Sequence, residues 1–252
     1  MSELPSPTPA GAAPQLRLAI ESLPVQGAPQ QLFVLLHGVG GQGAGLAALA
    51  QALRRQFPQA AILAPDAPEA FDGGVAAGNS HQWFSVQGIT EDNRPARVAQ
   101  ALQVFVPWLK ATQARLGLGA QATALAGFSQ GAILALEAVV AEDGLVGRVA
   151  AFSGRLAQLP AQAPRLTTLH WFHGSEDPVI PVQHARSALE HLGLLQGDAT
   201  LDIAQGLGHE MHPALVDRLL HRLTHHIPQR SWQAALGAVQ GEGPRGLDAL
   251  ND

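Results

Sequence analysis

Gly127-Phe128-Ser129-Gln130-Gly131 sets a serine between two glycines, with the apolar run Thr123–Ala126 before it and the apolar stretch Ala132–Ala141 after it. A serine on a sharp strand-to-helix turn presents its hydroxyl as an acyl-transfer nucleophile, and glycines at the flanking positions leave room for the strand and helix packed around it. With 27 glycines in the chain the pattern alone is a weak signal, and its plain alternative is a tight turn carrying an ordinary serine. The chemistry also needs an acid and a base, which follow such an elbow in the order serine, acid, histidine. Asp177 lies in His173-Gly174-Ser175-Glu176-Asp177-Pro178, just past the apolar run Thr168–Phe172. Pro178 gives it an extended exit, and Glu176 is the competing carboxylate. His209 lies in Gly206-Leu207-Gly208-His209-Glu210-Met211-His212-Pro213, just past Thr200–Ala204. Its rival His212 stands where it would cap a helix opened by Pro213. The competing readings are a turn aspartate before proline and one surface histidine among eleven.

A tetrahedral intermediate also needs N–H donors already aimed at its oxyanion. One comes from the residue after the nucleophile, Gln130; the other comes from a glycine-rich loop after an early strand. Leu32–Leu36 runs into His37-Gly38-Val39-Gly40-Gly41-Gln42-Gly43, which suits that role. A nucleotide-phosphate cradle is the other use of such a loop: Gly38-Val39-Gly40-Gly41-Gln42-Gly43 has the glycine spacing of G-x-G-x-x-G, a weak signal in a glycine-rich chain, and G-x-x-x-x-G-K-[ST] is absent.

These residues must be held by alternating strands and helices. Strands are expected at Leu16–Ile20, Leu32–Leu36, Ala61–Ala64, Thr123–Ala126, Arg148–Phe152, Thr168–Phe172 and Thr200–Ala204. Several are short continuous apolar runs, as strands covered on both faces are. Helical periodicity is carried by Leu46, Leu49, Ala50, Leu53 and Phe57, and by Val98, Leu102, Phe105, Val106 and Leu109, where Pro107 predicts a kink or break. Ala132–Ala141 reads as a buried helix with Glu137 its one charge, and Leu215, Leu219, Leu223 and Ile227 mark a last core helix. The pattern predicts an α/β fold with a mostly parallel central sheet of about seven strands and helices on both faces. The long aperiodic segment from Pro65 to Pro95 reads as a functional loop. A Pro-rich disordered tail is expected at 1–14, one catalytic domain at 15–230, and a partly disordered extension at 231–252 with a short helix at Trp232–Val239.

Composition narrows the classes. The 252 residues contain no cysteine, which removes disulfides, thiolate metal sites and a cysteine nucleophile. Lys110 is the only lysine, so a Schiff-base or P-loop lysine has no other candidate. A net charge of −5 argues against nucleic acid as a partner. No apolar run is long enough to span a membrane, so stable membrane insertion is not expected. The N-terminus lacks the charge and apolar core of a signal peptide, which makes a cytoplasmic location the default.

Four motifs taken in order make a resemblance. Leu36-His37-Gly38-Val39-Gly40-Gly41, Gly127-Phe128-Ser129-Gln130-Gly131-Ala132, His173-Gly174-Ser175-Glu176-Asp177-Pro178-Val179-Ile180-Pro181 and Gly206-Leu207-Gly208-His209-Glu210-Met211-His212 together resemble the phospholipase/carboxylesterase family of α/β-hydrolases, which includes acyl-protein thioesterases and bacterial carboxylesterases. The resemblance runs from about Leu32 to Ile227, and Ala64–Pro68 and Phe152-Ser153-Gly154 also look like the family's strand-end loops. It implies Ser129 as nucleophile, Asp177 as acid and His209 as base, with the backbone of Val39 and Gln130 as oxyanion donors. It also implies that Trp83-Phe84 lines the acyl side of the pocket. Gly41 stands where acyl-protein thioesterases usually carry an acidic residue, and the chain adds a C-terminal extension; both point towards a bacterial esterase relative.

Val179, Ile180 and Met211 are further apolar residues on loops near the expected site, and with Trp83 and Phe84 they suggest an acyl chain as substrate. The reading is a serine hydrolase of small-molecule carboxylic esters or thioesters, working through an acyl-enzyme with no cofactor and no metal, as a monomer or homodimer. The alternatives are a non-catalytic binding protein on the same fold, or a peptidase or lactone hydrolase with the same triad. His209 and His212 are one residue too close for H-E-x-x-H, and His221, His225 and His226 read as solvated side chains.

Overall fold

A computed structural model describes residues 14–73 and 80–241. The tail expected at 1–14, Pro14 apart, and the end of the extension lie outside the described residues. Seven strands form one sheet in the order β1-β3-β2-β6-β7-β8-β9: β1 (Leu18–Ser22), β2 (Gln31–Leu36), β3 (Ala60–Pro65), β6 (Thr123–Phe128), β7 (Arg148–Phe152), β8 (Thr168–Gly174) and β9 (Ala199–Ala204). β1 runs antiparallel to β3; every other pairing is parallel. The strands lie where the apolar runs place them.

Both faces are covered. In β2, Leu32, Val34 and Leu36 enter a core shared with α2 (Arg94–Leu116), α3 (Gln130–Ala141) and α4 (Gln183–Leu194). Phe33 and Leu35 enter a second core with α1 (Ala47–Gln56) and α5 (Pro213–His225). Side chains alternate across a strand, so an unbroken apolar run is the signature of burial on both sides. Each fully buried leucine contributes on the order of 2 kcal/mol. α6 (Gln229–Gly241) extends the helix expected at Trp232–Val239. Among the described residues no helix is long and apolar enough to cross a membrane.

Three local expectations change. α2 runs unbroken through Pro107. The lost hydrogen bond to Gln103 is offset by a buried stripe on both sides of it, Val98, Leu102 and Phe105 before and Trp108, Leu109 and Thr112 after. α4 had no clear sequence signal, because its buried face is Ala185, Ala188 and Leu192, too small a stripe to register. The segment from Pro65 to Pro95 holds a two-residue hairpin, β4 (Glu69–Ala70) with β5 (His81–Gln82), too short to show alternation.

Candidate active site

Ser129 follows the last residue of β6 and precedes the first of α3, with φ 52° and ψ −115°. Few side chains tolerate that left-handed conformation. It is held there by its N–H donating to Phe152 O at 2.9 Å and by its carbonyl accepting from Ala132 and Ile133 at 3.0 Å. The flanking glycines are required by contact: a Cβ at Gly127 would stand 2.4 Å from the Gly131 backbone, and one at Gly131 would stand 2.2 Å from Leu36 O. Strand β2, the elbow and α3 therefore interlock.

Asp177 sits on the loop after β8, its side chain fully buried. Oδ1 accepts the N–H groups of Val179 and Ile180, each at 2.9 Å. Oδ2 faces His209 Nδ1 at 2.8 Å. Burial pushes this carboxyl up, but the hydrogen bonds from His209 and from the Ile180 and Val179 amides outweigh it, and Asp177 is held below the usual carboxylate value. Glu176, the rival, is exposed.

His209 is carried by the loop after β9. That loop is tied to the end of β8 by Ser175 N–H to Ala204 O, Glu176 N–H to Leu207 O and Gly206 N–H to Ser175 Oγ, all 2.9 Å. His209 Nε2 lies 2.9 Å from Ser129 Oγ, and its ring stacks at a tilt on Phe128, centroids 4.9 Å apart. Because an ionised Asp177 can only accept, Nδ1 carries the proton and Nε2 is free to take one from the serine. His212 instead caps α5, accepting the Ala214 N–H.

The glycine loop lies against the elbow: a Cβ at Gly38 would be 3.3 Å from Ser129 Cβ. β5 pins it, since Gly40 N–H donates to His81 O and His81 N–H to Gly41 O, both 2.9 Å. Gly41 N–H is taken by Gly38 O at 3.1 Å. The amides of Val39 and Gln130 have no acceptor among the described residues. The Gln130 amide directly follows the serine and the Val39 amide follows Gly38, which packs against the serine; unengaged donors are what an oxyanion needs.

Supporting groups emerge that motif reading did not assign. His37 is buried; its Nε2 accepts Ala67 N–H at 3.0 Å and its Nδ1 donates to Gly38 O at 2.7 Å, which fixes a neutral ring. Burial lowers its pKa further than the Gly38 carbonyl and Asp66 raise it. The Gln130 side chain clamps the Trp83-Phe84 strip, Oε1 accepting Trp83 N–H at 2.8 Å and Nε2 donating to Phe84 O at 2.7 Å. Trp83 Nε1–H in turn donates to His37 O at 2.9 Å. Only the spatial closeness of loops distant in sequence reveals these roles.

The sequence profile of the phospholipase/carboxylesterase family matches residues 21–227. The chain belongs to the phospholipase/carboxylesterase family. It is 45% identical over 207 residues to the esterase YpfH of Escherichia coli (strain K12), covering 82% of this chain and 88% of that protein. Acyl-protein thioesterase 1 of Gibberella zeae is 24% identical over 214 residues, covering 79% and 91%. Among solved structures, esterase PE8 matches with a TM-score of 0.75 at 32% identity, covering 84% of this chain and 100% of that one.

In this phospholipase/carboxylesterase chain the apolar residues read as pocket walls are dispersed. Trp83, Phe84 and Ile180 are buried, Val179 is exposed, and Met211 is half-buried against the α1/α5-side core. A cavity of about 750 Å³ opens elsewhere, walled by His37–Gln42, Gly45, Leu46, Ser80 and Phe128. Among the described residues none of the five lines it, and no carboxylate, lysine or arginine does either. His221 and His225 stack on the surface of α5, centroids 4.3 Å apart, and no group of three metal-ligating side chains is found among the described residues.

Proposed function

We propose that Ser129, His209 and Asp177 form a nucleophile–base–acid triad that hydrolyses uncharged carboxylic esters or thioesters through an acyl-enzyme. The observation that carries this reading is the doubly bonded imidazole of His209, 2.9 Å from Ser129 Oγ on one side and 2.8 Å from Asp177 Oδ2 on the other. Ser129 Oγ attacks the acyl carbonyl as His209 Nε2 takes its proton, and Asp177 stabilises the imidazolium that forms. The Val39 and Gln130 amides receive the oxyanion. His209 returns the proton to the leaving alkoxide or thiolate, then activates a water that releases the acid and restores Ser129.

The cavity supports the substrate class. Its walls carry apolar Val39, Leu46 and Phe128 and a neutral His37, and none of the described residues lining it would pair a charged acyl group. The acyl chain is therefore assigned to this cavity, along the His37–Gln42 loop and Leu46, in place of a pocket built on Trp83 and Phe84. The relative from Escherichia coli is named an esterase and the fungal one a thioesterase, so ester against thioester is the open choice within one mechanism. A series of p-nitrophenyl esters and acyl-CoA thioesters, run on wild type and on Ser129→Ala, tests both points. Turnover on uncharged acyl chains, falling about 10⁴-fold or more in the variant, is the expected result. Comparable turnover by Ser129→Ala would overturn the assignment.

A further inference from the structure

His173 is the last side chain of β8, directly ahead of Gly174, fully buried, and the mechanism above does not use it. Its position follows from the sheet. Phe128, Phe152 and Phe172 pair across β6, β7 and β8, so the next residues of the three strands are Ser129, Ser153 and His173. The ladder continues through that row, with Ser129 N–H donating to Phe152 O and Ser153 N–H to Phe172 O, both 2.9 Å. The serine and this second histidine are thus fixed in one row by the same hydrogen-bonded backbone.

The His173 ring is held from one side only. Nε2 lies 2.7 Å from Ile180 O, and the same nitrogen lies 3.4 Å from Asp177 Oδ2. A carbonyl only accepts, so Nε2 carries the proton, and that one N–H points at the acid and at the loop that cradles it. Ile180 is the junction. Its N–H is one of the two bonded to Asp177 Oδ1, and its carbonyl is the one bonded to His173. The other nitrogen, Nδ1, is buried without a partner. A leucine or phenylalanine would fill this place with no ring nitrogen to strand, and a buried polar atom left unpaired in a native fold asks for a reason. Nε2 supplies the reason.

We propose that His173 is a positioning residue for the triad acid: it locks the peptide at Ile180, and with it the amide cradle and the orientation of Asp177 Oδ2 towards His209. The inference rests on the triad reading above. Charged and titratable neighbours of the ring are Asp177 and His209 near its edge and His184 on α4, and burial lowers the pKa of His173 more than Ile180 O and Asp177 raise it. A neutral donor is what the role needs, because a charged ring would compete with the His209 imidazolium for the same carboxylate.

Three variants separate positioning from packing. His173→Gln carries an N–H to where Nε2 sits, His173→Asn carries one only to the Nδ1 position, and His173→Leu carries none. The expected result is a kcat within about threefold of wild type for His173→Gln, and a loss of about 10–10²-fold in kcat for the other two with KM unchanged, the scale of a misaligned but intact site. Thermal unfolding of each variant is measured alongside. Wild-type kcat in His173→Leu, equal losses in the Gln and Asn variants, or losses that follow KM or thermal stability alone would overturn the proposal. If His173→Leu does not fold, the Gln–Asn comparison decides. Ser129→Ala is assayed in the same series: activity retained there defeats the triad itself, whereas an inactive Ser129→Ala beside a fully active His173→Asn defeats only the positioning role.

Discussion

Ser129 and Ser153 are two of three non-glycine residues with positive φ among the described residues, and they end adjacent strands. Strain of this kind persists only where surrounding contacts dictate it. At Ser129 those contacts are backbone against backbone, leaving no room for a methyl group. Gly131→Ala is therefore expected to lower stability by about 3 kcal/mol or more, because its Cβ would meet Leu36 O at 2.2 Å and neither chain can yield. Urea unfolding checks this; a loss under 1 kcal/mol would mean that the elbow is looser than described. The three triad candidates were legible because each sits in a compact motif at a strand end. His37 and the Gln130 side chain were not, because what they do depends on a partner in another segment, Ala67 and Trp83; His173 and Ile180 share one motif, but only the folded turn shows that they meet. Single motifs carry no trace of such pairings.

α3 does more than follow Ser129. Gln130, its first residue, holds the strip at Trp83-Phe84, while Glu137 accepts the Ala157 N–H at 2.7 Å and so steadies the loop after β7. Burial raises the pKa of Glu137 despite the bonds it accepts from Ala157 and Gln158 and the pull of Arg155. Gln130→Ala keeps the backbone amide assigned to the oxyanion but strands Trp83 N–H and Phe84 O. A loss of about 1–3 kcal/mol in stability follows, with a drop in kcat much smaller than that of Ser129→Ala. Urea unfolding and ester turnover on the same variant check it; unchanged stability would show that the strip is held by packing alone. Elements with long apolar runs, such as β2 and β8, were readable in the sequence. α4 and the β4–β5 hairpin were not, since an alanine-faced helix and two-residue strands have almost no periodicity to read.

At the scale of the whole molecule, buried neutral histidines set the response to acid. His170, a buried residue of β8 three positions before His173, accepts from Arg148 Nη1 at 3.2 Å and donates to Thr200 Oγ1 at 2.8 Å. Burial first, then Arg148, His226 and Arg222, push its pKa down to about 3. The unfolded chain takes up this proton near pH 6.5 and the fold resists until about 3, so stability is lost as pH falls between those values. The loss amounts to several kcal/mol at about 1.4 kcal/mol per unit. His37, His173 and His184 act in the same direction and Glu137 in the opposite one. His170→Gln, which does not titrate, is expected to flatten the decline in unfolding free energy between pH 7 and pH 4; an unchanged slope would contradict it. Intact-mass analysis after treatment with a fluorophosphonate probe examines the proposed triad most directly. The account predicts one covalent adduct per chain, on the peptide containing Ser129, absent in Ser129→Ala and formed far more slowly in His209→Ala. An adduct that persists in Ser129→Ala, or forms at an undiminished rate without His209, would contradict it.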